Sequence, residues 1–305
     1  MGVPVALTNF DPPSLALPLK GGREQSGASR PVVATLPRKK KRMLPPLNGA
    51  TRIHVTIGDP IAQVKSPAGV TQGFAARGAD AIMIPLQVKP ADIDDFFKLA
   101  KKLPNLDGII ITVPHKPVAF RHCDTTSERS RVLEVCNVMR RGADDRWSGD
   151  MTDGGRFVAA LKRNGFDPKG KRALQVGAGG AGSAIALSLT MEGASVTLAD
   201  LDTGKRDALI ARLGRHGHKV GATGKADPSG FDLVVNATPA GMKFGDPLPV
   251  DAVRLDPKMF VADIITMPLT TPLLAAAQAK GCRTQNGQQM FDAQVNFICD
   301  FLMGR

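Results

Sequence analysis

Apolar positions along the chain fall into short runs separated by amphipathic stretches, starting at Arg52. Residues 53–57 predict a strand, closed by the turn Gly58-Asp59-Pro60. Ser66-Pro67 is expected to cap a helix running to residue 77, with Pro67 at its first position. Residues 81–86 read as a second strand. Residues 90–102 read as a helix whose apolar side carries Ile93, Phe96, Phe97 and Leu99, and residues 108–113 as a third strand. After Asp153 the alternation resumes with a helix over 155–164, a strand over 173–176, a helix of small residues, a strand over 195–200 and a helix over 205–216. Strands over 233–236 and 260–263 follow. A last helix over 288–302 carries Met290, Phe291, Val295, Phe297, Ile298 and Leu302. Strands alternating with helices in this order predict parallel α/β sheets. No solenoid repeat is present.

The first 48 residues break the pattern. Pro4, Pro12, Pro13, Pro18, Pro31, Pro37, Pro45 and Pro46 interrupt any helix, and the segment has too little apolar surface to offset its ordering entropy. It is expected to be a disordered basic tail, with Met43 as an alternative start. Arg38 to Arg42 carry much of its charge, and residues 1–50 supply +6 of the total of +12. The rest of the chain has no tyrosine, a single Trp147 and no aromatic–glycine RNA-reading motif, so no nucleic-acid partner is expected. With 43% hydrophobic residues but no run of about 20 apolar positions, a membrane span is excluded from the reading. Cys123, Cys136, Cys282 and Cys299 are scattered without metal-ligand spacing, so a reduced, cytoplasmic protein without a metal is expected.

Gly177-Ala178-Gly179-Gly180-Ala181-Gly182 fits GxGxxG and falls between a predicted strand and a predicted helix. Glycines there allow a tight turn and a close approach of backbone to a pyrophosphate, whose charge meets a helix N-terminus. The next strand ends at Asp200, 23 residues beyond Gly177, where a carboxylate can accept hydrogen bonds from ribose hydroxyls. This predicts a Rossmann dinucleotide site. Asp200 would repel a 2′-phosphate, so NAD is the expected cofactor; Lys205 and Arg206, one turn on, keep NADP as the alternative.

A nicotinamide enzyme that oxidises an alcohol needs a group to take the hydroxyl proton. Lys116 stands just past a buried strand and Asp153 at the junction of the two units. Singly, the first reads equally as a surface lysine and the second as a helix cap. Their context resembles the shikimate/quinate dehydrogenase family. Gly58-Asp59-Pro60-Ile61-Ala62 with Lys65-Ser66-Pro67 is similar to that family's GxPIxxSxSP. Thr112-Val113-Pro114-His115-Lys116 is similar to NVTxPxK, Asn137 to the asparagine of AVNT, and Thr152-Asp153-Gly154 to NTDG. Gly177–Gly182 is similar to the GAGGA turn, and Asn236-Ala237-Thr238 with Gly241-Met242 to NATxxGM. Asp263, Pro268 and Thr271-Pro272 match DxxYxPxxTP, while Gly287, Met290 and Gln294 match GxxMLxxQ.

The resemblance implies an α/β protein with two domains, an N-terminal substrate domain on a mostly parallel sheet and a C-terminal Rossmann domain. The expected limits are 49–152 for the substrate domain, 153–286 for the Rossmann domain, and 287–305 for a helix returning to the first. It also implies Lys116 and Asp153 as the catalytic pair, with Lys116 moving the proton. Ser66, Thr112, Asn137, Gln294 and Thr266 would bind substrate. Gly177, Ala178, Gly179, Gly180, Ala181, Asp200, Asn236, Thr238 and Gly287 would bind the cofactor. The expected activity is reversible oxidation of a ring hydroxyl of shikimate, quinate or a related alicyclic hydroxy acid by a monomer or homodimer.

Four positions depart from the family pattern. Val64 replaces the first serine of SxS, Ile111 the asparagine of NVTxPxK, Thr266 the tyrosine of DxxYxPxxTP, and Leu201 the arginine of NADP-dependent members. The last again favours NAD. The others leave open a different alicyclic substrate, or a silent dinucleotide- or metabolite-binding regulator. His115 reads equally as a cleft residue and a structural one. Cys136 is expected in the core, Glu128 is a weak cofactor-side candidate, and His216 and His218 read as a solvated helix end.

Overall fold

The computed structural model describes residues 47–62 and 64–304, with 291–294 described as helix backbone only; all but the last two residues of the expected basic tail lie outside this range. Two sheets organise the described chain. The first contains β1 (Arg52–Gly58), β2 (Ala81–Gln87), β3 (Leu106–Ile111), β4 (Thr125–Thr126), β5 (Val138–Arg141) and β6 (Trp147–Asp150) in the order β2-β1-β3-β5-β6-β4. β1 runs parallel to β2 and β3, whereas β5 is antiparallel to both β3 and β6. β1 and β3 are buried along most of their length because both their faces are covered. On one face lie α2 (Ile93–Ala100) and α3 (Lys116–His122), burying Ile93, Phe97 and Ala119 against Val55, Ile57 and Ile109. On the other lies α1 (Ser66–Ala76), with Val70 and Phe74 against Met83 and Ile110.

α4 (Glu128–Leu133) connects β4 to β5, and the second half contains α5 (Asp153–Arg163), β7 (Arg172–Val176), α6 (Gly180–Met191), β8 (Ser195–Ala199), α7 (Thr203–Arg215), β9 (Val220–Ala222), β10 (Leu233–Asn236), β11 (Phe260–Asp263), α8 (Pro272–Ala279), β12 (Arg283–Gln285) and α9 (Gly287–Leu302). Its strands are all parallel, in the order β12-β11-β10-β7-β8-β9. This is the doubly wound arrangement in which the winding reverses between β7 and β10, leaving a crevice beyond their carboxyl ends. The chain is thus a two-domain α/β fold. α9 starts at a capping box made by Asn286 and Gln289 and packs on both α5 and α1. A Cβ on Gly73 of α1 would come within 2.5 Å of Cys299 Sγ, so glycine there lets the two helices approach closely.

Several local expectations are corrected. The stretch 90–102 begins as a 3₁₀ turn over Pro90–Asp92, and α2 ends at Ala100. Lys65, not Ser66, occupies the cap position of α1; Ser66 is already helical, and its hydroxyl lies 3.2 Å from Thr56 Oγ1. β5 and β6 escape pattern reading because Arg140, Arg141 and Asp150 interrupt any apolar run in such short strands.

His54, on β1, is buried against Phe74, their ring centroids 4.5 Å apart. Burial holds its pKa down at about 4. The unfolded chain therefore binds a proton that the folded chain refuses between pH about 6.5 and 4. Stability is expected to be full above pH 6.5 and to fall by up to about 3 kcal/mol as the pH drops to 4. Acid unfolding of His54→Leu, followed by circular dichroism, is expected to lack that segment of the loss.

Candidate active site

At the carboxyl ends of β1 and β3 lies a cavity of about 270 Å³. Each of its walls has a local cause. β3 ends at Ile111, and the turn through Thr112–His115 is anchored from within: His115 is buried, and its Nε2 donates to the carbonyl of Val88 at 2.7 Å. The histidine is therefore structural, and the next residue, Lys116, opens α3 facing the cavity. On the opposite side β6 ends at Asp150 and α5 begins at Asp153. A Cβ on Gly154 would lie 2.0 Å from the carbonyl of Ala184, so only glycine lets α5 start this close to α6. The Asp153 side chain does not cap α5; it turns toward Lys116.

Lys116 Nζ donates to Asp153 Oδ2 at 2.7 Å, with Asp153 buried and Lys116 partly so. The other carboxylate oxygen accepts from Asn137 Nδ2 and from Arg156. Burial by itself would raise the Asp153 pKa. The charges of Arg156 and Lys116 and the hydrogen bonds from Lys116 and Asn137 outweigh it and hold the carboxyl at about 2. Asn137 is itself fixed, with Oδ1 accepting from the Thr152 backbone at 2.8 Å. Ser66, Thr112, Asn137 and Thr266 line the same cavity as Lys116 and Asp153. The backbone of Gln294 belongs to α9, but its side chain lies outside the described residues.

Val64 and Thr266 both line the cavity, so their loss of polar reach bears directly on the ligand. The position equivalent to the asparagine of NVTxPxK is Ile110, not Ile111, counting back from Lys116. Both isoleucines line the cavity, so the substitution stays apolar either way. Arg156 and Gln288 also line it and escaped the sequence reading.

A second cavity, about 600 Å³ and largely apolar, sits at the switch point of the second sheet. Gly177 has φ +106°, and a Cβ there would lie 2.7 Å from the carbonyl of Ala237. A Cβ on Gly182 would meet the carbonyl of Gly177 at 2.2 Å. Both glycines are required by packing, and Gly177 also lines the cavity. Gly179 lines the cavity, and a Cβ on it or on Gly180 would meet nothing within 4 Å. A side chain there would fill the space that a pyrophosphate needs at the N-terminus of α6, so the turn fits a dinucleotide. Gln175, buried under the turn, donates to the carbonyls of Gly177 and Gly182 and fixes its shape.

Asp200 Oδ2 accepts from the Ala178 backbone at 2.7 Å, coupling the end of β8 to the glycine turn while the residue still lines the cavity. Thr238 lines it too. Asn236 does not: it is fully buried, its Oδ1 accepting from Thr238 and its Nδ2 donating to Asp263, so it shapes the loop from behind instead of touching a ligand. Gly287 is a packing glycine, with a Cβ position 2.2 Å from the carbonyl of Ile264. Ala178 and Ala181 belong to the turn but do not line the cavity, and neither does Glu128, which is exposed on α4.

Comparison with known proteins agrees with this architecture. The family model for the shikimate dehydrogenase substrate binding domain matches residues 56–139. An NADP(+) shikimate dehydrogenase of Acidiphilium cryptum is 36% identical over 80% of this chain and 87% of its own. A quinate/shikimate dehydrogenase (NAD(+)) of Corynebacterium efficiens is 32% identical over 77% of this chain and 86% of its own. Among solved structures, the 5-ketofructose reductase of Gluconobacter sp. strain CHM43 superposes with a TM-score of 0.77 at 30% identity, covering 84% of this chain and 94% of that one.

Proposed function

This chain belongs to the shikimate/quinate dehydrogenase family, and from that premise we propose that it is a nicotinamide-dependent dehydrogenase reversibly oxidising a ring hydroxyl of shikimate, quinate or a related alicyclic hydroxy acid. The observation that carries the reading is the Lys116–Asp153 contact of 2.7 Å in the wall of a cavity that also presents the hydroxyl and amide groups of Ser66, Thr112, Asn137 and Thr266. When bound, the nicotinamide coenzyme supplies the hydride acceptor. Lys116 Nζ moves the proton: the ammonium gives it to the forming hydroxyl in reduction, and the amine takes it in oxidation. Asp153, ionised down to pH about 2, orients the lysine and stabilises its cation but carries no proton near neutrality. Ser66, Thr112 and Asn137 would bind the other polar groups of the ring, and an analogue lacking one of those groups would leave a buried donor or acceptor unpaired. The test is product identity: incubation with coenzyme and shikimate or quinate is expected to yield the ketone, with two hydrogens fewer by mass spectrometry. Unchanged substrate across the whole panel contradicts the reading.

NAD is the proposed coenzyme. Asp200 and Leu201 line the dinucleotide cavity. Arg206 does not line it and is paired with Asp207 and the carbonyl of Thr223. Lys205 is the one cation among the described residues lining that cavity. Wild type is expected to favour NAD over NADP in kcat/KM. The double substitution Asp200→Ser with Leu201→Arg is expected to shift that ratio toward NADP by about tenfold or more, since a charge-assisted bond to the 2′-phosphate replaces a repulsion. A ratio that does not move contradicts the assignment.

A second reading, a keto sugar in place of the hydroxy acid, is favoured by Val64 and Thr266 together with the likeness to the 5-ketofructose reductase. A substrate panel with and without a carboxylate separates the two.

A further inference from the structure

The cavity that holds Lys116 and Asp153 has a charge imbalance which that pair does not explain. Lys65, Lys116 and Arg156 line it, and the one carboxylate among the described lining residues is Asp153. Two positive charges are left over. Lys65 makes no ion pair among the described residues, and it is exposed at the start of α1. Arg156 is more constrained. It stands one turn after Asp153 on α5, its side chain is 15% exposed, and it donates to Asp153 Oδ1. Its Nε is buried and has no hydrogen-bond partner. A buried guanidinium N–H without an acceptor is costly, and a guanidinium cannot shed its charge to escape that cost. Nε itself is closed to a ligand, so the surplus charge that the lining presents through Arg156 and Lys65 is what calls for an anionic group from the ligand.

The same cavity has lost neutral polar reach at Val64 and Thr266. Resting on the dehydrogenase reading above, we propose that Arg156 is a specificity-determining residue that receives the substrate's carboxylate, so the ligand is an acid held by charge instead of by hydroxyl groups. Arginine suits this role because its fork presents two parallel N–H groups to a carboxylate. Lys65 adds long-range attraction at the cavity edge without a fixed geometry. Because Arg156 also holds Asp153, it sets the span between the bound carboxylate and the hydroxyl facing Lys116. It thereby selects which ring hydroxyl reacts.

The test compares shikimate with its uncharged carboxamide, by calorimetric binding in the presence of coenzyme and by steady-state rates, in wild type, Arg156→Gln and Arg156→Lys. Wild type is expected to prefer the acid. Arg156→Gln is expected to shrink that preference by about 10- to 100-fold, chiefly in Kd and KM, because one charged hydrogen-bond donor set is lost. Arg156→Lys should restore part of it, since the charge returns without the fork. Equal losses for acid and amide in Arg156→Gln would mean that the residue acts only through Asp153, and would overturn the proposal. So would a wild type that binds the amide as well as the acid, or that binds neither. Arg156-dependent binding of the acid without turnover would uphold the carboxylate site and overturn the dehydrogenase reading instead.

Discussion

Replacing Lys116 by alanine is expected to lower kcat by about 10²- to 10⁴-fold, the usual contribution of a positioned acid–base group. Coenzyme affinity is expected to stay within a few-fold, because Lys116 belongs to the first cavity and the glycine turn to the second. The fold should survive, since Asp153 keeps Asn137 and Arg156 as donors when the lysine is gone. The alternative proton carriers are poor. Asp153 is ionised down to pH about 2, and His115 spends its Nε2 hydrogen on the Val88 carbonyl. A loss of less than about tenfold, measured by initial rates at saturating substrate, would show that the proton leaves by another route.

Removing Asp153 is expected to damage both activity and stability. Its carboxylate is buried and accepts from Lys116, Asn137 and Arg156. Asp153→Ala leaves two cations in a low-dielectric wall with no counter-charge, which typically costs about 3–5 kcal/mol. Asp153→Asn keeps the shape and one acceptor, so it should destabilise less while still losing at least about 10² in kcat through misorientation of the lysine. The pH dependence follows from the sign of the shift. A carboxyl held near 2 in the folded state, against about 3.9 unfolded, stabilises the protein fully above pH about 4 and loses that contribution as the pH falls toward 2. The stability gap between wild type and Asp153→Asn should therefore narrow over that interval in acid-unfolding curves. A constant gap would mean that folding leaves the Asp153 pKa at its unfolded value.

Much of the scaffold was legible because buried parallel strands leave strong apolar runs. The strands over 233–236 and 260–263 appear with the expected limits, and GxGxxG runs from the end of β7 into the first turn of α6 as its chemistry requires. The antiparallel pair β5 and β6 was not legible, since charged residues on four-residue strands leave no period to detect. Motif resemblance pointed to several residues that line the two cavities but could not separate contact from support. Asn236 and Gly287 look like cofactor residues in sequence and act as packing and loop-shaping residues in the fold. Arg156 was missed for the opposite reason. A single arginine on a helix reads as a solvated charge, and only the fold reveals that α5 turns it inward beside Asp153. Ser66 shows a third kind of limit, because Ser-Pro at a helix start predicts a cap while this hydroxyl points to Thr56 instead.

The most direct test of the account follows reduction of NAD by absorbance with shikimate and with quinate, in wild type and Lys116→Ala side by side. Steady production of reduced coenzyme by wild type with at least one of the two acids, falling by about 10² or more in the variant, is the predicted result. Tight NAD binding with no reduction on either acid, or equal rates in the two proteins, would contradict it.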